Sequence, residues 1–132
     1  MAKTNNTTSD YSSEIIASMK SLSGKEKVRF KDLTASKKLD EEVTEDTSLL
    51  VALDNYIKLH VHNSKSENPD YDVMIVIDKE GNSYYTSSET FMRALEGVIN
   101  DMKDETEEWG IEVVKKPSSN FKGKFFLTCT VY

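Results

Sequence analysis

The sequence has little of what stabilises secreted or membrane proteins. Its single cysteine, Cys129, excludes an internal disulfide, so a reducing, cytoplasmic location is expected. No apolar run has the length of a transmembrane helix, and the polar beginning MAKTNNTTSDYSS does not resemble a signal peptide, so no membrane partner is expected. With 132 residues, two prolines and five glycines, the chain is long enough for one domain with a buried core.

The chain also lacks an even distribution of charge, although its formal net charge is only −6. Residues 20–38 hold seven Lys or Arg against two acidic residues, whereas residues 39–112 hold five against nineteen. Residues 113–132 hold four lysines and no Asp or Glu. Because salt screens charges over about 10 Å, each basic segment can attract an anion despite the net negative charge.

The N-terminal residues 1–24 are predicted to be a flexible arm with a short amphipathic helix. Residues 1–12 are small, polar and aperiodic, which is typical of disorder. The apolar residues of SSEIIASMKSLSG fall on one helical face: Ile15, Ile16, Met19 and Leu22. The next stretch, KVRFKDL, alternates and predicts a strand. Its basic edge would consist of Lys25, Lys27, Arg29 and Lys31.

Residues 25–132 are predicted to form a single domain, mostly β with one main helix. LLVALDNYIKLHVHN alternates apolar and polar residues, which predicts a long strand bent near Asp54 and Asn55. YDVMIVID is apolar on both faces and predicts a central strand, with NSYYTS as its hairpin partner. A stripe from Phe91 to Met102 predicts a helix over residues 87–104, and WGIEVVKK and KFFLTCTVY are the last two strands.

This order of elements favours a five-stranded, OB-like barrel, in which one extra hairpin strand must be accommodated. The alternative is a generic α+β sheet with one packed helix. In the barrel, the loop between the last two strands lies beside the ligand-binding face.

Residues suited to catalysis are few, and no enzymatic activity, catalytic residue or cofactor is predicted. His60 and His62 lie two apart on a strand and point to the same face, but a zinc site would need further ligands from Asp or Glu. Two exposed strand histidines are the simpler interpretation, and no metal is predicted. Cys129 shares a strand face with Leu127 and Val131, which favours a buried, unreactive side chain over a nucleophile.

The C-terminal stretch KKPSSNFKGKFFLTCTVY interleaves lysines with aromatic residues and contains no acid. Single-stranded nucleic acid needs cations along its phosphates and flat apolar groups on which its bases stack. The predicted phosphate-binding residues are Lys115, Lys116, Lys122 and Lys124, and Phe121 is the predicted stacking residue. Tyr56 and Lys58 on the long strand are predicted to extend this surface, whereas Phe125 is predicted to be part of the core.

The stretch PSSNFKGKFFLTCTVY, together with IVIDKEGNSYYTSSETFMRAL before it, resembles small phage-encoded single-stranded DNA-binding proteins over residues 45–132. The resemblance implies an OB-type fold and a role in phage DNA replication or recombination, in the host cytoplasm. It does not supply catalytic residues. Many proteins of that role end in an acidic tail that recruits partners, whereas this sequence ends in an apolar strand and has its acidic runs inside the chain.

The leading prediction is therefore a sequence-tolerant, non-enzymatic binder of single-stranded DNA, with replication or recombination proteins as further partners. The sequence does not separate DNA from RNA and leaves a homo-oligomer open. The alternative is a protein-binding module or inhibitor of a host protein that acts through the N-terminal helix or the acidic surface.

Overall fold

The computed structural model of the protein describes residues 11–132, so most of the segment predicted to be disordered lies outside the described residues. The strands are β1 Tyr11–Ser18, β2 Lys37–Lys38, β3 Leu49–Val51, β4 Leu53–Asn63, β5 Asp70–Asp78, β6 Ser83–Thr86, β7 Ile111–Pro117 and β8 Phe125–Val131. The α-helices are α1 Gly24–Lys31, α2 Leu39–Glu42 and α3 Glu89–Met102, and a 3₁₀ turn covers Leu33–Ala35.

The strands form two sheets, one of five strands in the order β1-β4-β5-β6-β2 and one of three strands in the order β3-β7-β8. All pairings are antiparallel except the short β2–β6 pair. β5 is the middle strand of the large sheet, as its apolar sequence predicts. Within residues 11–132 the strands pair as two separate sheets, and the alternative of an α+β sheet with a packed helix describes this arrangement.

The predicted long strand is confirmed in part, because its residues form two strands that belong to different sheets, with an irregularity near the predicted bend. The chain forms β3 and β4 with a break at Ala52, and the β4–β5 register shifts between Leu53 and Asn55. The Asn55 side chain is buried there, and its Oδ1 accepts hydrogen bonds from the backbone N–H groups of Met19 and Lys20 at 3.1 and 3.0 Å. These hydrogen bonds therefore hold Met19 and Lys20, which follow β1, against the large sheet at its irregular position.

The predicted N-terminal helix is wrong, because the segment that was expected to contain it forms β1. This strand pairs with β4 from Tyr11↔Asn63 to Ser18↔Ile57 and is an integral part of the large sheet. The β-branched Ile15 and Ile16 lower the helix propensity of the segment, and pairing along β4 decides its structure. The helical docking face proposed for a protein partner therefore does not form in this segment, and Ile15 packs into the core instead.

The predicted strand over KVRFKDL is also wrong, because this segment lies in and just after helix α1. Ser23 caps the helix: its Oγ accepts from the N–H of Glu26 at 3.2 Å, and the Glu26 carboxylate accepts from the N–H of Ser23 at 2.9 Å. This reciprocal capping box fixes the start of a helix. The four basic residues of the segment consequently lie on a helix and do not form a strand edge.

Helix α3 is confirmed, with Ser88 as its N-cap, whose Oγ accepts from the N–H of Phe91 at 3.2 Å. Its apolar stripe buries Phe91, Met92 and Leu95 against one face of the large sheet and the inner face of the small sheet. The other face of the large sheet is covered by α1 through Phe30. The core is thus built in two layers, one on each side of the large sheet.

The longest helix among the described residues is α3, with 14 residues, and none of the helices is long and apolar enough to cross a membrane.

Candidate nucleic-acid interface

The loop between β7 and β8 is a closed and ordered hairpin tip. The backbone N–H of Ser118 donates to the carbonyl of Lys124 at 2.8 Å, and the N–H of Lys124 donates to the carbonyl of Phe121 at 3.1 Å. Ser118 Oγ accepts from the N–H groups of Asn120 and Phe121, both at 3.3 Å. Gly123 has a φ of +79°, which the third residue of a type II turn requires. Backbone hydrogen bonds therefore fix where the tip side chains project.

The tip borders a cleft of about 460 Å³, which we call the hairpin cleft. It is lined by Thr90, Ser118, Ser119, Asn120, Phe121, Lys124, Phe125 and Phe126. Three of these residues are phenylalanines and none is acidic. Phe121 is 67% exposed and Phe125 45% exposed, so both rings present apolar surface to solvent. The cleft therefore combines aromatic surface, small polar groups and a cation.

Three of the four predicted lysines lie exposed around this tip: Lys116, Lys122 and Lys124. Among residues 11–132, no carboxylate oxygen lies within 4.0 Å of their ammonium groups, so their charges are not neutralised by salt bridges there. Lys115 differs from them. It points to the inner side of the small sheet, where its Nζ donates to the carbonyl of Asp40 at 3.1 Å, so it stands apart from the exposed cluster.

The prediction that Phe125 belongs to the core is wrong, because the core ends before this residue. Leu127 is buried opposite Lys115 in the register, and Phe125 lies two pairs further out, opposite Pro117 at the open end of the sheet. Phe126 lines the same cleft from the other face of β8. Neither ring is among the site residues that the sequence predicts, and the signal for both was their position directly after Gly123 and Lys124.

Tyr56 and Lys58 lie elsewhere, on the face of the large sheet covered by α3. Tyr56 packs against the core, and burial raises the pKa of its hydroxyl. The Nζ of Lys58 is 3.2 Å from Glu96 Oε2, and the Lys58 side chain is only 19% exposed. Lys58 borders a second cleft of about 390 Å³, the histidine cleft, which is lined by Lys58, His60, Asp70, Tyr71, Asp72, Glu89, Met92, Arg93 and Glu96. The two clefts share no lining residue.

The histidine cleft contains a ladder of cross-strand His–Asp pairs. His60 Nδ1 is 2.9 Å from Asp72 Oδ1, and His62 Nδ1 is 2.9 Å from Asp70 Oδ1. His60 Nε2 also approaches Asp70 Oδ1 at 3.3 Å. The hydrogen bonds to Asp72 and then Asp70 raise the pKa of His60, and the hydrogen bond from His62 lowers the pKa of Asp70. The sequence signal for these pairs was that HVH in β4 and DYD in β5 lie equally far from the loop between the two strands. This spacing places each histidine opposite an aspartate.

Two kinds of reactive group remain among the described residues, the potential metal ligands and the thiol of Cys129. Among residues 11–132, no three His, Cys, Asp or Glu side chains are grouped so that they could hold a metal ion. Cys129 packs against the core of α3 and the small sheet, and burial raises the pKa of its thiol to about 11. Very little of this thiol is ionised at neutral pH, so its chemistry is that of a small apolar side chain.

No family model, curated protein or solved structure matches this chain.

Proposed function

We propose that this protein binds single-stranded DNA at the hairpin cleft, without catalysis and with little dependence on base sequence. The observation that carries the proposal is the grouping of three phenylalanines and no acid in the cleft, with three lysines around its tip that lack salt-bridge partners among the described residues. In this proposal the rings of Phe121 and Phe125 stack on bases. Lys116, Lys122 and Lys124 contact the phosphates.

The physical basis is that this surface offers partners for both groups that a single strand exposes, its bases and its phosphates. Stacking of a base on an aromatic ring contributes about 1–3 kcal/mol and is available with every base, because each base has a π-face. Phosphate contacts add affinity through release of bound cations, which makes binding sensitive to salt. A duplex keeps its bases stacked inside, so it can use the lysines but not the rings.

The charge layout also limits where a strand can lie. Residues 39–112 hold nineteen acidic residues against five basic ones and repel phosphate from the surface that they form. A strand bound at the tip should therefore contact few phosphates. With three lysine contacts at about 0.7 each, the log–log salt slope should be about −2.

The test is fluorescence anisotropy of a labelled oligo-dT strand titrated with the full chain at about 50 mM and 200 mM salt. We expect about a 20-fold loss of affinity between the two salt concentrations, from a slope of about −2. Unlabelled single strand should compete and duplex of equal length should compete poorly. Equal competition by duplex would show that the rings are not used, and no binding at low salt would refute the proposal. An oligo-U arm compares RNA with DNA.

The resemblance to phage single-stranded DNA-binding proteins extends the proposal to a role in phage DNA replication or recombination, in the host cytoplasm. An OB-like relation of the two sheets, with the β7–β8 loop as the loop between the last two strands, is part of the same proposal. The acidic run around Asp101–Glu108 is exposed and offers a surface for basic replication partners.

A further inference from the structure

Helix α1 carries a second basic surface, which the hairpin cleft does not include. Its cations are Lys25, Lys27, Arg29 and Lys31, all exposed. Within residues 11–132, none of them lies within 4.0 Å of a carboxylate oxygen. We call these four residues the α1 surface. Between them lies Val28, which is 75% exposed, whereas the only buried residue of the helix is Phe30.

The two acidic residues next to these cations in the sequence each accept hydrogen bonds from groups at one end of α1. Glu26 closes the capping box with the N–H of Ser23 at 2.9 Å. Asp32 accepts from the hydroxyl and N–H of Thr34 at 2.6 and 3.1 Å, and these hydrogen bonds lower its pKa. These carboxylates stabilise the backbone turns and form no salt bridge with the cations of α1, of which Arg29 has its guanidinium 5.2 Å from the centroid of the Phe30 ring.

The spacing of the cations works against the helix itself. Residues four apart are neighbours on a helix, so Lys25 repels Arg29 and Lys27 repels Lys31. The two pairs lie on either side of the exposed Val28, so an anionic chain that lies along the helix can contact both pairs and offset their repulsion.

The α1 surface and the hairpin cleft lie on opposite sides of the large sheet. Helix α1 covers the face that contains Ile57, Leu59 and Val73. The small sheet packs on the other side, through Val113 and Leu127. Packed layers are about 10 Å apart, which exceeds the screening length of about 8 Å at physiological salt. Each basic surface therefore presents its own field to solvent.

We propose that the α1 surface binds the phosphate backbone of a second nucleic acid strand, so that one molecule bridges two strands. This inference rests on the proposed function of the hairpin cleft. The α1 surface has cations and no exposed aromatic ring on the helix, so it contacts phosphates without stacking bases. A strand held there keeps its bases free to pair. Bridging two complementary strands in this way raises their local concentration and accelerates their annealing.

The experiment measures energy transfer between two short oligo-dT strands that carry donor and acceptor dyes. Strands of about 12 nucleotides lie within the range of about 4–16 nucleotides that one OB-sized domain covers. Wild-type protein should give a signal that rises with added protein and falls when protein exceeds strands. The variant Lys27→Gln/Lys31→Gln removes two cations while keeping a good helix former, and Lys65→Gln/Lys103→Gln is the control of equal charge change.

We expect the α1 variant to lose most of the transfer signal while its affinity for one labelled strand stays within about twofold of wild type. The salt slope of bridging should fall by about 1.4, at about 0.7 for each lost contact. The control variant should behave as wild type. Annealing of two complementary strands should slow in the α1 variant only.

Three outcomes would overturn the inference. If the α1 variant weakens single-strand binding as much as Phe121→Ala does, both surfaces hold one strand. If the transfer signal persists in the α1 variant and sedimentation shows a dimer, bridging arises from two copies. If an acidic peptide binds wild type but not the α1 variant, and nucleic acid does not displace this peptide, the partner of the α1 surface is a protein. Loss of all binding in wild type instead refutes the function proposed for the hairpin cleft.

Discussion

The hairpin cleft and the histidine cleft both border the first turn of α3, one through Thr90 and the other through Glu89 and Arg93. Both contain cations and aromatic side chains. In the histidine cleft the cations have partners, because Lys58 pairs with Glu96 and Arg93 with Glu89. In the hairpin cleft Lys124 has no carboxylate partner among the described residues, and two phenylalanines are exposed.

The difference between them shows that composition alone does not identify a binding surface for a polyanion. Lys58 satisfies the same sequence criterion as Lys122, yet its neighbour Glu96 would repel a phosphate placed against it. What separates the two lysines is the long-range packing of α3 onto the large sheet. Matched substitutions in the two regions can therefore test whether only the hairpin cleft binds phosphate.

The largest effect is expected from Phe121→Ala, which removes the most exposed ring of the hairpin cleft. Loss of one stacked base should weaken binding of oligo-dT by about 1–3 kcal/mol, or about 5- to 150-fold, for every base sequence. Anisotropy titrations at fixed salt measure the change. Phe121→Tyr keeps the ring and should retain binding, and Tyr56→Phe in the other region should have no effect. A large loss with Tyr56→Phe would reverse the assignment of the two regions.

A change at Gly123 should alter the shape of the tip without removing a ligand-contacting group. Its φ of +79° strains any residue with a Cβ, and no atom lies within 4 Å of the added Cβ, so the cost is conformational. Gly123→Ala should lower the free energy of unfolding by about 1–2 kcal/mol. Gly97→Ala, in open space on α3, should raise it by about 0.5–1 kcal/mol. Thermal unfolding of both variants gives the signs, and a stabilised Gly123→Ala would contradict the turn.

A smaller effect is expected from Lys122→Ala, which should reduce the salt slope of binding by about 0.7, the contribution of one phosphate contact. The matched variant Lys58→Ala should leave the slope unchanged, because its ammonium already pairs with Glu96 at 3.2 Å. Titrations at four salt concentrations provide both slopes. Equal slopes for the two variants would mean that pairing with Glu96 does not decide which lysine binds phosphate.

The smallest effect concerns the His–Asp ladder of the histidine cleft. Because Asp72 and Asp70 raise the pKa of His60, its NMR titration should have a midpoint above 6.5, and Asp72→Asn should move the midpoint down. The stabilisation from His60 is complete below about pH 6.5 and is lost as the pH rises through the raised pKa. Asp70 contributes in the opposite direction, and its stabilisation is lost as the pH falls through its lowered pKa.

In the same experiment, oligo-dT binding by the hairpin cleft should not follow the His60 titration. If the affinity for oligo-dT changes with pH in parallel with the chemical shift of His60, the two clefts act as one site.

The sequence was sufficient for the elements whose pattern is local. The stripe from Phe91 to Met102 and the alternation from Leu53 to Val61 each report burial directly, so α3 and β4 were predicted. The N-terminal part was not, because Ile15 and Ile16 suit a strand only once β4 is there to pair with them. The signal for α1 was available, because Ser23 and Glu26 have the spacing of a capping box.

The site shows the same division between local and long-range information. Alternation along β7 already separates Lys115, in phase with the buried Val113, from the exposed Lys116. Phe125 is in phase with the buried Leu127, but no local pattern shows that the core ends between them. Lys58 appeared free because α3, which supplies Glu96, lies more than thirty residues further along the chain.

The position of Leu127, the buried residue of β8 nearest the hairpin tip, has an evolutionary consequence. Beyond Leu127 and the Lys115 opposite it, the hairpin residues do not belong to the apolar core, and the shape of the tip depends on backbone hydrogen bonds, the Ser118 hydroxyl and one glycine. Residues 119–122 can therefore be exchanged with little effect on folding. Selection can change what this tip recognises while the rest of the sequence continues to specify the same fold.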